Sequence, residues 1–207
     1  MEGTFNIMFC GVGGQGLMTL SSILGKAAVD DGLNVMTGEQ HGLSQRSGSI
    51  YVHFRIGSPI SPLIPYGKAD MMISMEASET LRYIEYLKDD GVIITSNRIM
   101  HPVNETEEIA LDKEKKREYL TLDEIVDKLN EVTSNVVILD ALELAERAGN
   151  PRTENSVLIG AAVSCPGFPI DADDVRKAVL DLVPPKTVQA NSMAFDLGLE
   201  EGNACLG

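Results

Sequence analysis

The chain has 207 residues, 43% of them hydrophobic and 23% charged, which is ordinary for a globular protein with a sizeable core in one or two domains. A formal net charge of −14 argues against a nucleic-acid binder, whose surface must neutralise phosphate, and no apolar run reaches membrane-spanning length. Three scattered cysteines, Cys10, Cys165 and Cys205, cannot furnish four cluster ligands, a C-x-x-C metal site or a disulfide framework, so a cytoplasmic location is expected.

No basic leader precedes the first apolar run, so no secretory signal is expected. Ile7-Met8-Phe9-Cys10 reads as a buried strand, with Cys10 a small core residue. It runs into Gly11-Val12-Gly13-Gly14-Gln15-Gly16 and then an apolar helix from Leu17 to about Asp31-Gly32. The turn has the spacing G-x-G-x-x-G. Such glycines permit φ > 0 and a close backbone approach to a bound anion at a helix start. Tight strand–helix packing without a ligand accounts for the same residues. Leu33 to Thr37 reads as a second strand, closing a β-α-β unit and ending at Gly38-Glu39. Glu39 is then spaced to hold a ribose hydroxyl in a dinucleotide fold.

Residues 40–49 read as a polar loop beyond a strand end, where open α/β sheets bind ligands. Arg46 can clamp a phosphate or carboxylate, and His41 can donate a proton or a hydrogen bond. The plainer readings are a surface ion pair and an exposed imidazole. Ser49 to Ile56 alternates apolar and polar residues, giving a strand with one wet face, His53 and Arg55 exposed, and an antiparallel edge position. Residues 57–65 form a proline-rich connection and Ala69 to Met75 a further strand. Ser78 is placed to cap a helix reaching Leu87, and Val92 to Thr95 forms the next strand.

From Arg98 to Leu120 the hydrophobic rhythm fails around the charge run 112–118, read as an excursion at the sheet edge. Thr121-Leu122-Asp123-Glu124 is a capping box opening a helix to about Thr133. Val136 to Leu139 is a strand and Asp140 to Ala148 a helix, broken by Gly149-Asn150-Pro151. Asn155 to Ser164 is apolar nearly all round and is expected to be buried. Two more helices follow, from Asp171 to about Val183 and from Val188 to Leu199. Strands alternating with helices imply one three-layer Rossmann-like α/β domain over residues 1–207, mostly parallel with an antiparallel edge strand.

The chain lacks a P-loop, a G-x-S-x-G elbow, a zinc-protease histidine pair and the usual thiamine-diphosphate motif. A ligand-shaped turn with no self-sufficient catalytic set is what a subunit completing another chain's active site would carry.

The residues Gly11 to Gly16 and Gly42-Leu43-Ser44-Gln45-Arg46-Ser47-Gly48-Ser49, with the tail Asn191-Ser192-Met193-Ala194-Phe195-Asp196-Leu197-Gly198, resemble the γ-type domain of 2-oxoacid:ferredoxin oxidoreductases. Within that family the likeness is nearest to the stand-alone small (β) subunit of the indolepyruvate type, since pyruvate-type γ subunits tend to carry Pro-Glu-Arg-Arg-Gly in the loop. The resemblance implies a subunit, inactive alone, packed on a larger chain that holds thiamine diphosphate and iron–sulfur clusters. The assembled complex oxidatively decarboxylates a 2-oxoacid to an acyl-CoA and passes electrons to ferredoxin. This chain would bind no cofactor by itself and would help shape the substrate or CoA site. The resemblance places Gly11, Gly13, Gly14 and Gly16 at a phosphate or carboxylate through their N–H groups. Gln15 would donate a hydrogen bond, Arg46 would pair with the anion, and Ser44, Gln45 and Ser47 would fix it. Aromatic residues make up 5% of the chain, so the substrate's side-chain pocket is expected on the partner. Two other readings stay open: a free-standing NAD(P)-dependent oxidoreductase using Glu39, and an assembly module whose glycines only pack.

Overall fold

The computed structural model describes residues 3–41, 48–100, 111 and 118–206. Six strands form one sheet: β1 (Thr4–Val12), β2 (Val35–His41), β3 (Ser49–Gly57), β4 (Ala69–Ser74), β5 (Leu87–Ser96) and β6 (Val136–Leu139). Their order is β2-β3-β1-β4-β5-β6. The run β1, β4, β5, β6 is parallel, and β3 is antiparallel to both β1 and β2. The antiparallel strand therefore stands where its alternating sequence puts it, but one place in from the edge, with β2 outermost.

β1 is the sheet's centre. Ile7, Met8, Phe9 and Cys10 are all fully buried, because successive side chains point to opposite faces and both faces are covered. On one face Ile7 and Phe9 join Val52, Phe54, Met71, Ile73 and Ile94 in the larger core, where Phe9 and Phe54 meet edge-to-face at 5.5 Å. Helices α1 (Leu17–Asp30), α4 (Ala141–Arg147), α5 (Glu154–Val163), α6 (Ala172–Leu182) and α7 (Val188–Leu206) supply the cover. On the other face Met8, Cys10, Met72 and Ile93 pack under α2 (Ala77–Arg82) and α3 (Leu122–Asn130).

The polar side of β3 is not wet. His53 is 2% exposed, and its Nδ1 accepts the Ile64 N–H at 3.2 Å. Burial and the neighbouring Arg55 lower its pKa, so it is held neutral. Arg55 donates to Asn6 Oδ1 and to the Ser61 and Leu63 carbonyls. The proline-rich connection folds back over this face and meets the ring cluster of Tyr51, His53, Tyr66, Tyr83 and Tyr86. Alternation reports a polar face but cannot tell solvent from a returning loop.

Three further boundaries differ from expectation. Glu76, not Ser78, caps α2, its carboxylate accepting the Glu79 N–H at 2.8 Å. The helix stops at Arg82, and Leu87 opens β5, whose pairing with β4 slips between Ala69 and Met71 to absorb extra residues. Finally, α7 runs on to Leu206. The capping box holds as expected: Thr121 Oγ1 accepts the Glu124 N–H and Glu124 Oε2 accepts the Thr121 N–H.

α5 is buried nearly all round and lies against α7 at backbone distance. A Cβ on Gly160 would stand 2.1 Å from the Phe195 carbonyl oxygen, and one on Gly198 would stand 2.0 Å from that of Val157. Gly198→Ala must therefore push two helices apart, at about 2 kcal/mol of stability. Gly25→Ala, in α1, meets nothing nearer than Phe54 at 3.7 Å and should add up to about 1 kcal/mol through helix propensity. Urea titration of the two variants should show midpoints moving in opposite directions. In a second test, a thiol reagent on the native chain should modify exposed Cys205 first. Burial raises the pKa of Cys10 far above the ordinary thiol value and that of Cys165 to about 12, so both should react only on unfolding. Mass spectrometry of the labelled peptides reads the order.

Candidate functional site

α1 leaves the end of β1 on one face and leads outward to β2, whereas α2 and α3 connect β4, β5 and β6 across the other face. The sheet's connections thus change direction between β1 and β4, and open α/β sheets bind ligands in the crevice at such a point. Here a cleft of about 350 Å³ opens among Gly14, Gln15, Gly16, Met75, Arg98, Arg152, Glu154 and Asn155.

The glycines do different work. A Cβ on Gly11 would come within 2.7 Å of Gln15 Oε1 and 3.3 Å of Met75 Cβ, so this position serves packing under the turn. The Gly13 N–H donates to the Gly48 carbonyl at 2.9 Å, tying the turn to the residue before β3. Gly14 and Gly16 carry positive φ, 99° and 83°, a conformation that disfavours any side chain. Gly16 also caps α1, and a Cβ there would lie 2.5 Å from Asn155 Nδ2. Gln15 folds inward: its Oε1 accepts the Val12 N–H at 2.7 Å, and its Nε2 reaches Met100 Sδ at 3.4 Å. It stiffens the turn in the manner of a cap.

The opposite wall comes from the break after α4. Asn150 Oδ1 accepts the Arg152 N–H, and the short turn Pro151–Thr153 feeds straight into α5. Glu154 and Asn155 thereby sit on the first turn of α5, facing the first turn of α1. Asn155 Nδ2 donates to the Gly16 carbonyl at 3.3 Å and joins the two walls. Arg98, just beyond β5, reaches in from the third side to within 3.4 Å of Glu154 Oε1. Burial raises the pKa of Glu154, Arg98 opposes that shift, and Asp140 adds to it. Glu154 Oε2 and Asn155 Oδ1 are buried with no partner among the described residues. A larger groove of about 660 Å³, sharing Arg152 and Asn155, continues toward Lys186 and Asn191.

The cleft is bordered by the first turns of α1 and α5 and by Arg98 and Arg152, and helix N-termini and arginines are groups that can attract an anion. Among the described residues no group of three or more His, Cys, Asp or Glu is placed to hold a metal ion. Of the residues the sequence singles out, Gly14, Gln15 and Gly16 line the cleft, while Gly11 and Gly13 support it from below and behind. Glu39 lies within β2 opposite Val52. Because β3 separates β2 from β1, Glu39 lies two strand spacings, roughly 10 Å, from Phe9 of β1, with which it is level, and farther still from the turn, so the ribose role suggested by spacing has no geometry here. His41 is the last residue of β2, paired with Ile50. Ser44, Gln45, Arg46 and Ser47 lie outside the described residues. Their C-terminal flank is anchored, since the Ser49 hydroxyl bonds both Glu79 and Tyr83.

Sequence reasoning missed Arg98, Arg152, Glu154 and Asn155. Signals existed: Arg98 follows a strand directly, and Arg152 to Asn155 follow a Gly-Asn-Pro break and open a helix. Both are ligand-facing positions in an α/β sheet, but only the pairing of β5 beside β4 brings them to one crevice.

The family model for pyruvate ferredoxin/flavodoxin oxidoreductase matches residues 6–201. The indolepyruvate oxidoreductase subunit IorB of Thermococcus kodakarensis is 40% identical over 205 residues, covering 98% of both chains. The common γ subunit of the pyruvate/ketoisovalerate oxidoreductases of Pyrococcus abyssi is 27% identical over 192 residues, covering 91% of each. Among solved structures, the γ subunit of a keto/oxoacid ferredoxin oxidoreductase from Geobacter sulfurreducens has the same fold, with a TM-score of 0.73, 22% identity and 99% of both chains covered. With the family model matching residues 6–201 and a relative 40% identical over 98% of both chains, the chain belongs to the pyruvate ferredoxin/flavodoxin oxidoreductase family.

Proposed function

We propose that this chain is the small subunit of a 2-oxoacid:ferredoxin oxidoreductase acting on an arylpyruvate such as indolepyruvate, and that its cleft holds a phosphate-bearing part of CoA. The observation that carries the reading is the 40% identity over 98% of both chains to an indolepyruvate oxidoreductase subunit, against 27% to a pyruvate-type γ subunit. The cleft supports it chemically. Gly14 and Gly16 line it, Arg98 and Arg152 bring positive charge to its walls, and the first turns of α1 and α5 meet beside it through the bond from Asn155 to Gly16. Ser44, Gln45, Arg46 and Ser47 are proposed, on the family resemblance, to add contacts from the loop before β3, and His41 from its start.

The chain's own residues do not fit the redox and decarboxylating groups. Cys10 and Cys165 are buried in separate cores, and the cleft offers amide, guanidinium and carboxyl groups only. Thiamine diphosphate and the iron–sulfur clusters are therefore assigned to a larger partner subunit. On this reading the chain binds and orients. A free-standing dinucleotide oxidoreductase is disfavoured because Glu39 stands away from the turn.

The chain should co-purify with a larger subunit containing iron and thiamine diphosphate; recovery alone, or NADH binding by the isolated chain, would overturn the reading. In the assembled complex, Arg98→Ala and Arg152→Ala should each raise the KM for CoA about tenfold, the value of one charge-assisted hydrogen bond, and leave kcat nearly unchanged. Steady-state turnover at varied CoA measures this, and an unchanged KM in both variants would remove the cleft from CoA binding.

A further inference from the structure

Glu154 is a carboxyl group inside a site built for anions. It is 9% exposed. One oxygen faces a guanidinium at a long 3.4 Å, and the other is buried without a partner among the described residues. Among the described residues, the charged groups around it come from three segments. Arg98 approaches from beyond β5, Asp140 stands at the start of α4, and Arg152 precedes it on the turn into α5. The walls from the β1 turn and β4 present uncharged Gln15 and Met75.

An incoming phosphate would take the N–H groups of Arg98 that now face Glu154. Two negative charges would then share one guanidinium in a narrow, half-dry crevice. Like charges at such separation do not both stay ionised; the weaker acid binds a proton. A phosphate diester remains charged throughout the neutral range, so the carboxyl is the group that yields.

Resting on the cleft as an anion site, we propose that Glu154 takes one proton from solvent when the anion binds, the proton settling on Oε2, the oxygen that Arg98 does not touch. Arg98 is thereby released from its internal partner to the ligand, and binding is coupled to pH. The sign follows from linkage. The bound state carries the extra proton, so affinity is greatest at low pH and falls as pH rises through the interval between the free and bound pKa values of Glu154. The free value is already raised from the ordinary glutamate value, chiefly by burial. One proton sets a ceiling of about tenfold per pH unit. A glutamine at this position imitates the protonated form permanently.

The test is calorimetric titration of the full chain with dephospho-CoA from about pH 5.5 to about pH 8.5, an interval in which the probe's diphosphate keeps its charge. The wild type should lose affinity across the range, and Glu154→Gln should not. The variant should match the wild type at the acid end and bind about tenfold tighter at the alkaline end. Heats in buffers of different ionisation enthalpy should report up to one proton taken up by the wild type and none by Glu154→Gln. A constant ratio of affinities at all pH values, or weaker binding by the variant throughout, would overturn the proposal and make Glu154 a structural residue or a simple acceptor. Binding of CoA but not of its dephospho form would overturn this inference alone; binding of neither compound by either protein at any pH would overturn the cleft reading itself, and this inference with it.

Discussion

The structure depends on how closely α5 can approach α7. Gly160 and Gly198 let the helices meet at backbone distance, where any side chain would strike a carbonyl. This contact packs α5 against the sheet, with nearly every residue buried. A helix held so tightly has little freedom to rotate or slide. Its first turn, carrying Glu154 and Asn155, is therefore set against the first turn of α1, and the single bond from Asn155 to the Gly16 carbonyl locks the two ends. Polar geometry in the cleft is inherited from apolar packing on the helices' far side.

The glycine turn reads differently once that is seen. A G-x-G-x-x-G sequence suggests backbone laid open to a ligand, yet much of this turn is already engaged. Gly11 makes room for Gln15, Gln15 satisfies the Val12 N–H, and the Gly13 N–H goes to Gly48. Gly14 and Gly16, with the start of α1, form the ligand-facing part. The rest pre-organises it, which lowers the ordering cost of binding. Against a net charge of −14, long-range steering does not favour an anion. For the anion proposed above, local Arg98, Arg152 and the helix ends would supply the attraction at short range, where screening by salt is weak.

Much of this fold is legible in the sequence because its signals are local. The apolar run before Gly11, the capping box at Thr121 and the all-round apolar surface of Asn155 to Ser164 each follow from neighbouring residues, and each stands where expected. What escaped is non-local. Nothing near Ser49 to Ile56 says that this strand inserts between β1 and β2, and that insertion carries Glu39 away from the turn. Nothing near His53 says that the chain beyond Gly57 returns to cover it. Arg98 and Arg152 are 54 residues apart in sequence and meet only because β5 pairs beside β4 and α5 crosses the same strand ends. Half of the candidate site was readable as a motif, and the other half exists only as topology.

The cleft contains groups that hold and orient: amides, two guanidiniums and one half-dry carboxyl. Such a set can fix an anionic handle but gives little leverage on a bond being broken. Positioning alone is worth much in a reaction between two bound partners, because it converts a bimolecular encounter into an intramolecular one. A subunit that anchors the charged end of a long co-substrate contributes in that currency, and it does so best when the anchor is rigid and set back from the chemistry. The buried α5–α7 contact supplies the rigidity, and the crevice at the sheet's reversal point supplies the place. On the reading proposed above, the small chain is a fixed mount for one reactant.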